Sequence, residues 1–319
     1  MDLFIFLFTI ASLIMLYFGA DFLISGALST AARLKISEMV VSITLIAWAT
    51  SVPELFVLSK AISIPNGSTI AYGTIIGSNF VNLCLVLGLS IFIKFKLKFS
   101  FNFFAFKNFI PISIFSTLIF CLYGLNHFND LVIKKLLSVL MIVAIILYVL
   151  RSNKETNNYL EQERKVFSKK RATIYLFIGV CLLYAGSEFL VMVGKELQNL
   201  GFAPSIIGSI YFALASSSPE IFTSLLAIFK YKKHDVVIGN VLGSNLANIC
   251  IFGIVALIFG TESINLESKA LYLLASAEIA IFGIFIIYYL KSNKEKIIHV
   301  HSIVGFLLFS VYYLFYKFL

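Results

Sequence analysis

The sequence predicts an all-α membrane protein with ten transmembrane helices, arranged as two inverted repeats of five helices each. Three observations support this prediction. The chain of 319 residues is 60% hydrophobic and only 13% charged, whereas about a quarter of the residues in soluble domains are charged. Its apolar runs are about 20 residues long, which is the length that crosses a bilayer. The second half also repeats rare polar residues of the first half at a constant offset of 166 positions.

Ten apolar runs, taken in chain order, are the predicted transmembrane spans. They cover residues 3–29, 37–61, 69–93, 102–123, 131–151, 172–194, 203–228, 236–259, 269–290 and 298–317. The first run lacks a basic start and a small-residue cleavage site, so we interpret it as a retained helix rather than a signal peptide. Pro111 is expected to kink the fourth span. The predicted units are therefore a first repeat (1–151), a linker (152–171) and a second repeat (172–319).

Loop charges predict how the chain is oriented in the membrane. If the N-terminus is outside, the inside loops hold 18 Lys and Arg residues and the outside ends hold 6. The positive-inside rule therefore places both termini outside and the linker in the cytoplasm. The same clustering explains the net charge of +9 without a nucleic-acid partner. Because five is an odd number, the second repeat enters the membrane from the opposite side, and a pseudo-two-fold axis relates the halves.

One repeated motif places a proline and a glutamate inside an apolar span. It reads Ala47-Trp-Ala-Thr-Ser-Val-Pro-Glu54 in the first half and Ala213-Leu-Ala-Ser-Ser-Ser-Pro-Glu220 in the second. Proline breaks a helix and frees backbone carbonyls, which is tolerated in a membrane only where they are buried or line a cavity. Carbonyl, hydroxyl and carboxylate oxygens are hard ligands that suit Ca²⁺ and Na⁺. A proline kink with a glutamate bonded across helices would explain one copy, whereas two copies at one offset favour a binding site.

The second repeated motif is Gly-Ser-Asn-x-x-Asn, which starts at Gly77 and again at Gly243. The serine and the last asparagine lie four residues apart, so they share one helix face, as Ser78 and Asn82 and then Ser244 and Asn248. The glycines are expected to permit close helix packing. Polar packing between helices would explain either copy alone. Next to the two proline breaks, these faces are expected to complete an oxygen-lined cage.

Other polar residues within the spans are weaker signals. Asp21 and Glu188 align at an offset of 167, and each could guard an ion pathway or form a hydrogen bond near the membrane surface. Glu278 has no acidic counterpart in the first half, so we interpret it as a residue of helix packing. The four cysteines lie within apolar spans and are interpreted as structural thiols without disulfides.

Both motifs resemble the alpha repeats of the sodium/calcium exchanger family, within the cation/calcium antiporter superfamily. The resemblance extends over essentially the whole chain, including the ten spans and the short linker. It implies that Glu54 and Glu220 bind Ca²⁺ together and also serve Na⁺, with oxygens from Thr50 and Ser216 at the same centre. It further implies flanking Na⁺ sites, which would be lined by Ser51, Ser78, Ser217, Ser244 and the carbonyls of Ala47 and Ala213. Asn82 and Asn248 would fill the central cross-section between the two halves.

The function implied by this resemblance is an antiporter that exchanges Na⁺ for Ca²⁺ across the cell membrane, as the first and sixth helices slide to alternate access. The expected partners are these two transported ions and the lipid bilayer, with no cofactor, no enzyme chemistry and no obligatory protein partner. The family usually has Gly at positions 49 and 215, where this chain has Ala49 and Ala215. Ser216 replaces a commoner Thr, and some members carry Asp at the position of Asn248. These departures bear on ion selectivity.

Three alternatives remain at this point. A cation/proton or other divalent-cation antiporter would also use carboxylates at the midplane. An ion channel would share an oxygen-rich path. An intramembrane enzyme is disfavoured, because the sequence has no His-Glu-x-x-His stretch and no second membrane-embedded aspartate.

Overall fold

The computed structural model describes residues 3–62, 67–93, 99–103, 107, 109–124, 130–152, 166–199, 215, 217–260, 268–291 and 297–318. This part of the chain is mostly helical. Five of its helices are long and apolar enough to cross a membrane by length and composition. Their outward faces carry large exposed apolar side chains such as Phe6, Ile14 and Phe177, which in water would be costly and in lipid are ordinary. The chain is a multi-pass membrane protein.

The first half contains the helices of spans one to five. Helix α1 covers Leu3–Leu34, and span two is divided into α2 (Glu38–Val41), a π-helical segment π1 (Ser42–Ile46), α3 (Ala47–Thr50) and α4 (Val52–Ile62). Span three is divided into α5 (Gly67–Phe80), a second π-helical segment π2 (Val81–Val86) and α6 (Leu87–Ile93). Strand β1 (Phe99–Asn102), α7 (Ile110–Gly124) and α8 (Leu131–Ser152) follow.

The second half begins with α9 (Lys169–Asn199) and continues with α10 (Ser218–Phe229) and α11 (His234–Phe259). Helix α12 (Ser268–Lys291), strand β2 (Ile297–Val300) and α13 (Ser302–Phe318) complete it. The predicted start of span seven, before Ser217, lies largely outside the described residues. Where the prediction and the structure overlap, each predicted span contains at least one helix.

Equivalent spans of the two halves are buried to similar extents. In the most apolar windows of α1 and α9, 28% of the residues are buried in each case. In the stretch of Ala71–Ile93 and in α11, the corresponding values are 78% and 83%. Spans three and eight therefore form the centre of the molecule, whereas spans one and six lie at its edge with one face toward lipid.

Glycines allow α1 and α9 to pack closely along each other. A methyl group added at Gly19 would lie 2.8 Å from the backbone nitrogen of Leu183, and one added at Gly186 would lie 2.9 Å from Cγ of Leu16. Gly19 is equivalent to Gly186, and Leu16 to Leu183, at the offset of 167 seen in the sequence. Each contact is therefore the other one with the two helices exchanged. Small residues at such an interface are the usual means of helix association in membranes, where no hydrophobic force drives helices together.

The prediction of an entirely helical chain was wrong in one respect. Strands β1 and β2 pair antiparallel, with Phe99 opposite Val300 and Asn102 opposite Ile297. Strand β2 covers the predicted start of span ten, whereas β1 precedes span four and overlaps it only at Asn102. Short runs of aromatic and β-branched residues cannot be told from the start of an apolar helix by their sequence pattern. Their pairing depends on a contact between segments about 200 positions apart, which no local pattern records.

Two further details of the spans differ from the prediction. Pro111 is the second residue of α7 rather than an interior residue, and at a helix start its missing N–H removes no hydrogen bond. The predicted kink is therefore absent from the described helix. Helix α1 also continues beyond residue 29 to Leu34, because polar residues at a membrane surface do not end a helix unless they cap it.

The loops predicted to lie inside meet at one end of the molecule. Arg33 donates to the backbone oxygen of Phe167 at 3.3 Å, which joins the end of α1 to the start of α9. The backbone N–H of Ser100 in β1 donates to Nδ1 of His234 at 3.0 Å, and Lys233 forms an ion pair with Glu38 at 2.7 Å. This arrangement agrees with the prediction that successive loops lie on alternate sides of the membrane. Which side this end of the molecule faces stays a prediction.

Candidate ion-binding site

Two helix breaks with the same geometry lie in spans two and seven. Ser51 has φ −84° and ψ 8°, and its equivalent Ser217 has φ −87° and ψ 7°. A proline occupies the second position of the helix that follows each break, and Glu54 and Glu220 fall in the first turns of α4 and α10. The proline removes an N–H that the helix start would leave unused in any case. The positive end of each helix dipole stabilises the carboxylate beside it.

Both carboxylates are completely buried. Oε1 of Glu54 accepts a hydrogen bond from the Ser78 hydroxyl at 3.1 Å. The hydroxyls of Thr50 and Ser244 lie near the carboxyl group of Glu220 but form no hydrogen bond to its oxygens, and Glu54 is close enough to interact with it electrostatically. Among the described residues, neither glutamate forms an ion pair. The two negative charges therefore require compensation, because burying an uncompensated charge is costly.

Four asparagines join the two halves through reciprocal hydrogen bonds. Nδ2 of Asn79 donates to the backbone oxygen of Asn245 at 3.3 Å, and Nδ2 of Asn245 donates to that of Asn79 at 3.2 Å. Asn82 donates to Oδ1 of Asn245 at 3.2 Å, and Asn248 donates to Oδ1 of Asn79 at 3.0 Å. Each bond thus has a counterpart with the halves exchanged, as a two-fold relation requires.

These bonds leave the side-chain oxygens of two of the asparagines, Asn82 and Asn248, unused. Because Asn82 and Asn248 donate their amide nitrogens, their Oδ1 atoms point away from the asparagine cluster. Seven buried oxygens of the predicted ligand residues have no hydrogen-bond partner within the described part of the chain. They are Oγ of Ser51 and Ser217, Oε2 of Glu54, both carboxylate oxygens of Glu220, and Oδ1 of Asn82 and Asn248. Buried polar atoms are nearly always paired, so this group of unused oxygens makes the region a candidate site for cations.

A second group of hydroxyls lies where α3 meets α11. Oγ1 of Thr50 lies 3.1 Å from Oγ of Ser244 and 3.1 Å from the backbone oxygen of Ala47. Ser244 also donates to this Ala47 oxygen at 3.4 Å. The three predicted ligands Ala47, Thr50 and Ser244 are therefore adjacent. Their close packing is possible because a methyl group at Gly243 would lie 2.7 Å from Cβ of Ala47.

The structure brings together ten of the twelve predicted site residues. Ser78, for example, donates to Glu54 and accepts from Nδ2 of Asn248 at 3.3 Å. Ser216 and Ala213 lie outside the described residues. The close helix packing expected at Gly77 is also untested. Gly243 packs against residues 43 and 47, so Gly77 would be expected to pack against their equivalents at positions 209 and 213, which the structure does not describe.

Three asparagines of this region were missed as site residues. Asn79 and Asn245 stand inside the repeated motif at the same offset of 166, so the repeat itself was a signal for them. Asn240 lies in α11, and its first-half equivalent is Thr74. No repeat signal exists for Asn240, and only the structure shows that it contacts Thr50.

Two of the remaining acids within the spans have partners outside this cluster of ligands. Asp21 forms an ion pair with Lys230 at 2.7 Å and accepts from the hydroxyl of Tyr231. Both carboxylate oxygens of Glu278 accept from hydroxyls, those of Ser113 and Thr117, which agrees with its interpretation as a residue of helix packing. Glu188 is half-buried.

A family model described as "Sodium/calcium exchanger protein" matches residues 4–153 and 171–318. An uncharacterized membrane protein of Methanocaldococcus jannaschii is 30% identical over 248 residues, which cover 74% of this chain and 76% of that protein. The sodium/calcium exchanger MaX1 of Methanosarcina acetivorans is 39% identical over 85 residues, which cover 27% of this chain and 24% of that protein.

Among solved structures, the fold is similar to that of the sodium-calcium exchanger NCX_Mj, soaked with Na⁺ and Sr²⁺. The TM-score is 0.80, the sequence identity is 24%, and the match covers 100% of both chains. At this identity the likeness establishes the fold.

Proposed function

The chain belongs to the sodium/calcium exchanger protein family, and from this premise we propose that it exchanges Na⁺ for Ca²⁺ at a site between its two halves. As a member of this family it is a cation/calcium antiporter of the membrane and not an enzyme. The finer proposal concerns which ions it carries, where they bind and how access alternates. It rests on one observation, the seven unused oxygens at the buried site, of which three belong to the two carboxylates.

The charge and chemistry of these oxygens match the proposed ions. Glu54 and Glu220 together provide a formal charge of −2, which one Ca²⁺ neutralises. Ca²⁺ takes six to eight oxygen ligands in flexible geometry, and carboxylate and amide oxygens from both halves would provide most of them. The ligand set would also include Ser51, Ser217, Ser78, Ser244, Asn82, Asn248, Thr50, Ser216 and the carbonyls of Ala47 and Ala213.

The proposed architecture is that of ten transmembrane helices in two inverted repeats, residues 1–151 and 172–319, joined by the cytoplasmic linker 152–171. The reciprocal asparagine bonds and the matched helix breaks at Ser51 and Ser217 support a two-fold relation between these repeats. Alternating access would then follow from sliding of α1 and α9 as a unit, since these helices pack along each other at the edge of the molecule.

A cation/proton antiporter is the second candidate. One observation favours it: the carboxylate oxygens of Glu220 accept no hydrogen bond among the described residues. A proton on Glu220 could replace Na⁺ as the ion that neutralises the site in the return step.

The test is uptake of ⁴⁵Ca²⁺ into vesicles that contain the purified protein. Loading the vesicles with Na⁺ is expected to drive uptake, and replacing internal Na⁺ with choline is expected to abolish it. If vesicles without Na⁺ but with an acid interior take up as much Ca²⁺ as Na⁺-loaded vesicles, the result would favour the proton antiporter. Downhill Ca²⁺ flux without any counter-ion would contradict both and indicate a channel.

A further inference from the structure

A network of four side chains ties α1 to the end of α10. Asp21 forms an ion pair with Lys230 at 2.7 Å and accepts a hydrogen bond from the hydroxyl of Tyr231. The same hydroxyl lies 3.1 Å from the backbone oxygen of Asp21 and 2.6 Å from Oγ of Ser25. Tyr231 has one hydroxyl proton, and a carboxylate is the strongest of these acceptors. Tyr231 therefore donates to the Asp21 carboxylate and accepts from Ser25.

The two residues beyond α10 are held firmly by that helix. The backbone N–H groups of Lys230 and Tyr231 both donate to the backbone oxygen of Leu226, at 2.9 Å and 3.1 Å. Lys230 follows Glu220 by ten residues, which is about 15 Å along a helix. The network therefore lies apart from the proposed ion ligands, toward the end of the molecule that carries loop 230–233. It joins α1 to the helix that carries Glu220.

The internal repeat does not reproduce this network in the first half. Glu188 of α9 is the equivalent of Asp21, at the offset of 167. The two residues beyond α10, however, correspond to Ile64 and Pro65 at the offset of 166. Neither of these side chains carries a charge or a hydroxyl group. The pair of helices α1 and α9 therefore has this polar attachment toward one end of the molecule and lacks the equivalent one toward the other.

We propose that Asp21 and Tyr231 are positioning residues of the transport cycle, which hold α1 against α10 while the end that carries loop 230–233 is closed. When α1 and α9 slide, the hydroxyl and the carboxylate separate, and water takes the place of each partner. This inference rests on the proposed function, which assigns the sliding movement to these two helices. Because the first half lacks the equivalent residues, the attachment favours the conformation that is open at the opposite end.

The hydrogen bond contributes more to this attachment than the ion pair. The side chain of Lys230 is 46% exposed and that of Asp21 is 20% exposed, and exposed ion pairs contribute little. The bond from Tyr231 is charge-assisted and about twice as strong as a neutral one. Tyr231→Phe is therefore expected to raise the ratio of open to closed protein at this end about tenfold. Lys230→Gln is expected to raise it about threefold or less.

The first measurement is a distance between α1 and α10 in reconstituted, otherwise cysteine-free protein. Spin labels are attached through Ile14→Cys and Phe229→Cys, because both side chains are exposed. Double electron–electron resonance then gives the populations of the closed and open conformations, and Tyr231→Phe is expected to shift their ratio about tenfold. Tyr175→Phe is the matched control. Tyr175 accepts from Arg171 of the same helix at 2.7 Å, so its variant is expected to leave the populations unchanged.

A double variant separates this hydrogen bond from a general effect on packing. Asp21→Leu removes the carboxylate, and with it both the bond to Tyr231 and the ion pair. Once the carboxylate is gone, removing the Tyr231 hydroxyl as well is expected to have no further effect, because the two changes remove the same interaction. Asp21→Asn, which is smaller and keeps one oxygen, takes the place of Asp21→Leu if the latter does not insert into the membrane.

The second measurement is the half-saturating Ca²⁺ concentration on each side of oriented vesicles. Protein that is closed at one end does not bind Ca²⁺ from that side, so the apparent affinity is reduced by the open fraction. In Tyr231→Phe, the value measured from the side that faces loop 230–233 is expected to fall by up to about tenfold. The value measured from the opposite side is expected not to fall.

Unchanged populations in Tyr231→Phe, or an equal shift in Tyr175→Phe, would overturn the proposal. So would a double variant whose shift is the product of the two single shifts, or a lower half-saturating Ca²⁺ concentration on both sides. Failure of the proposed function is a separate result, because it would show as a lack of Na⁺-dependent Ca²⁺ flux in the wild-type protein. The distance measurement does not depend on which ions are carried.

Discussion

Replacing Glu220 by glutamine tests the proposed Ca²⁺ site most directly. Both carboxylate oxygens of Glu220 lack a hydrogen-bond partner among the described residues, whereas Glu54 has one oxygen bonded to Ser78. Glutamine keeps the shape of the side chain but removes one of the two formal charges. It also turns one acceptor into an N–H₂ donor, which would face the bound cation.

The size of the effect follows from the burial of the site. Removing one partner of a buried charge pair costs about 3–5 kcal/mol, since the remaining charge stays buried without compensation. Each 1.4 kcal/mol corresponds to a factor of about ten in affinity. The half-saturating Ca²⁺ concentration is therefore expected to rise about 10²- to 10⁴-fold in Glu220→Gln. Glu54→Gln is expected at the lower end, because Ser78 already satisfies one of its oxygens.

The assay is ⁴⁵Ca²⁺ uptake by Na⁺-loaded vesicles over a wide range of Ca²⁺ concentrations. Glu278→Gln is the matched control, because Glu278 is an equally buried carboxyl group whose two oxygens already accept from Ser113 and Thr117. Its Ca²⁺ affinity is expected to match that of wild type. Size-exclusion profiles in detergent would verify that each variant is folded. Wild-type Ca²⁺ affinity in either site variant, or an equal loss in the Glu278 control, would refute the reasoning.

Three other predictions concern topology, K⁺ and helix packing. A single cysteine at position 160, in an otherwise cysteine-free protein, is expected to react only with reagents that reach the cytoplasm; labelling from outside would reverse the predicted orientation. Ca²⁺ uptake by Na⁺-loaded vesicles is expected to persist when K⁺ is replaced by choline at a clamped membrane potential, because Asn248 adds no third negative charge; a strict K⁺ requirement would mean that another acid supplies it. Gly179→Val is expected to lower the melting temperature in detergent, because its Cβ would lie 2.7 Å from the backbone nitrogen of Leu23. Gly283→Val is the control, since a methyl group there meets nothing within 4 Å in the described part of the chain, and equal destabilisation of the two variants would contradict the packing argument.

The sequence by itself determined the class of protein, the approximate spans and most of the proposed site, through local chemistry, the internal repeat and the family resemblance. Polar and charged residues are so costly inside a membrane that each one within an apolar span is informative. Repetition at a fixed offset then separated Glu54 and Glu220 from Glu278, which has no counterpart. The order of motifs along the chain, together with the family resemblance that they carry, was therefore enough to select ten residues that the structure places together.

Only the tertiary structure decided features that depend on contacts between distant segments. The pairing of β1 with β2 and the satisfied hydrogen bonds of Glu278 arise from neighbours that are remote in sequence. The same holds for Asn240, whose contact with Thr50 spans 190 positions. A hydrogen bond has a direction and a limited number of protons, so which oxygens remain free for a cation depends on every donor around them. That assignment requires the positions of both halves at once, and no periodicity or spacing along one chain records it.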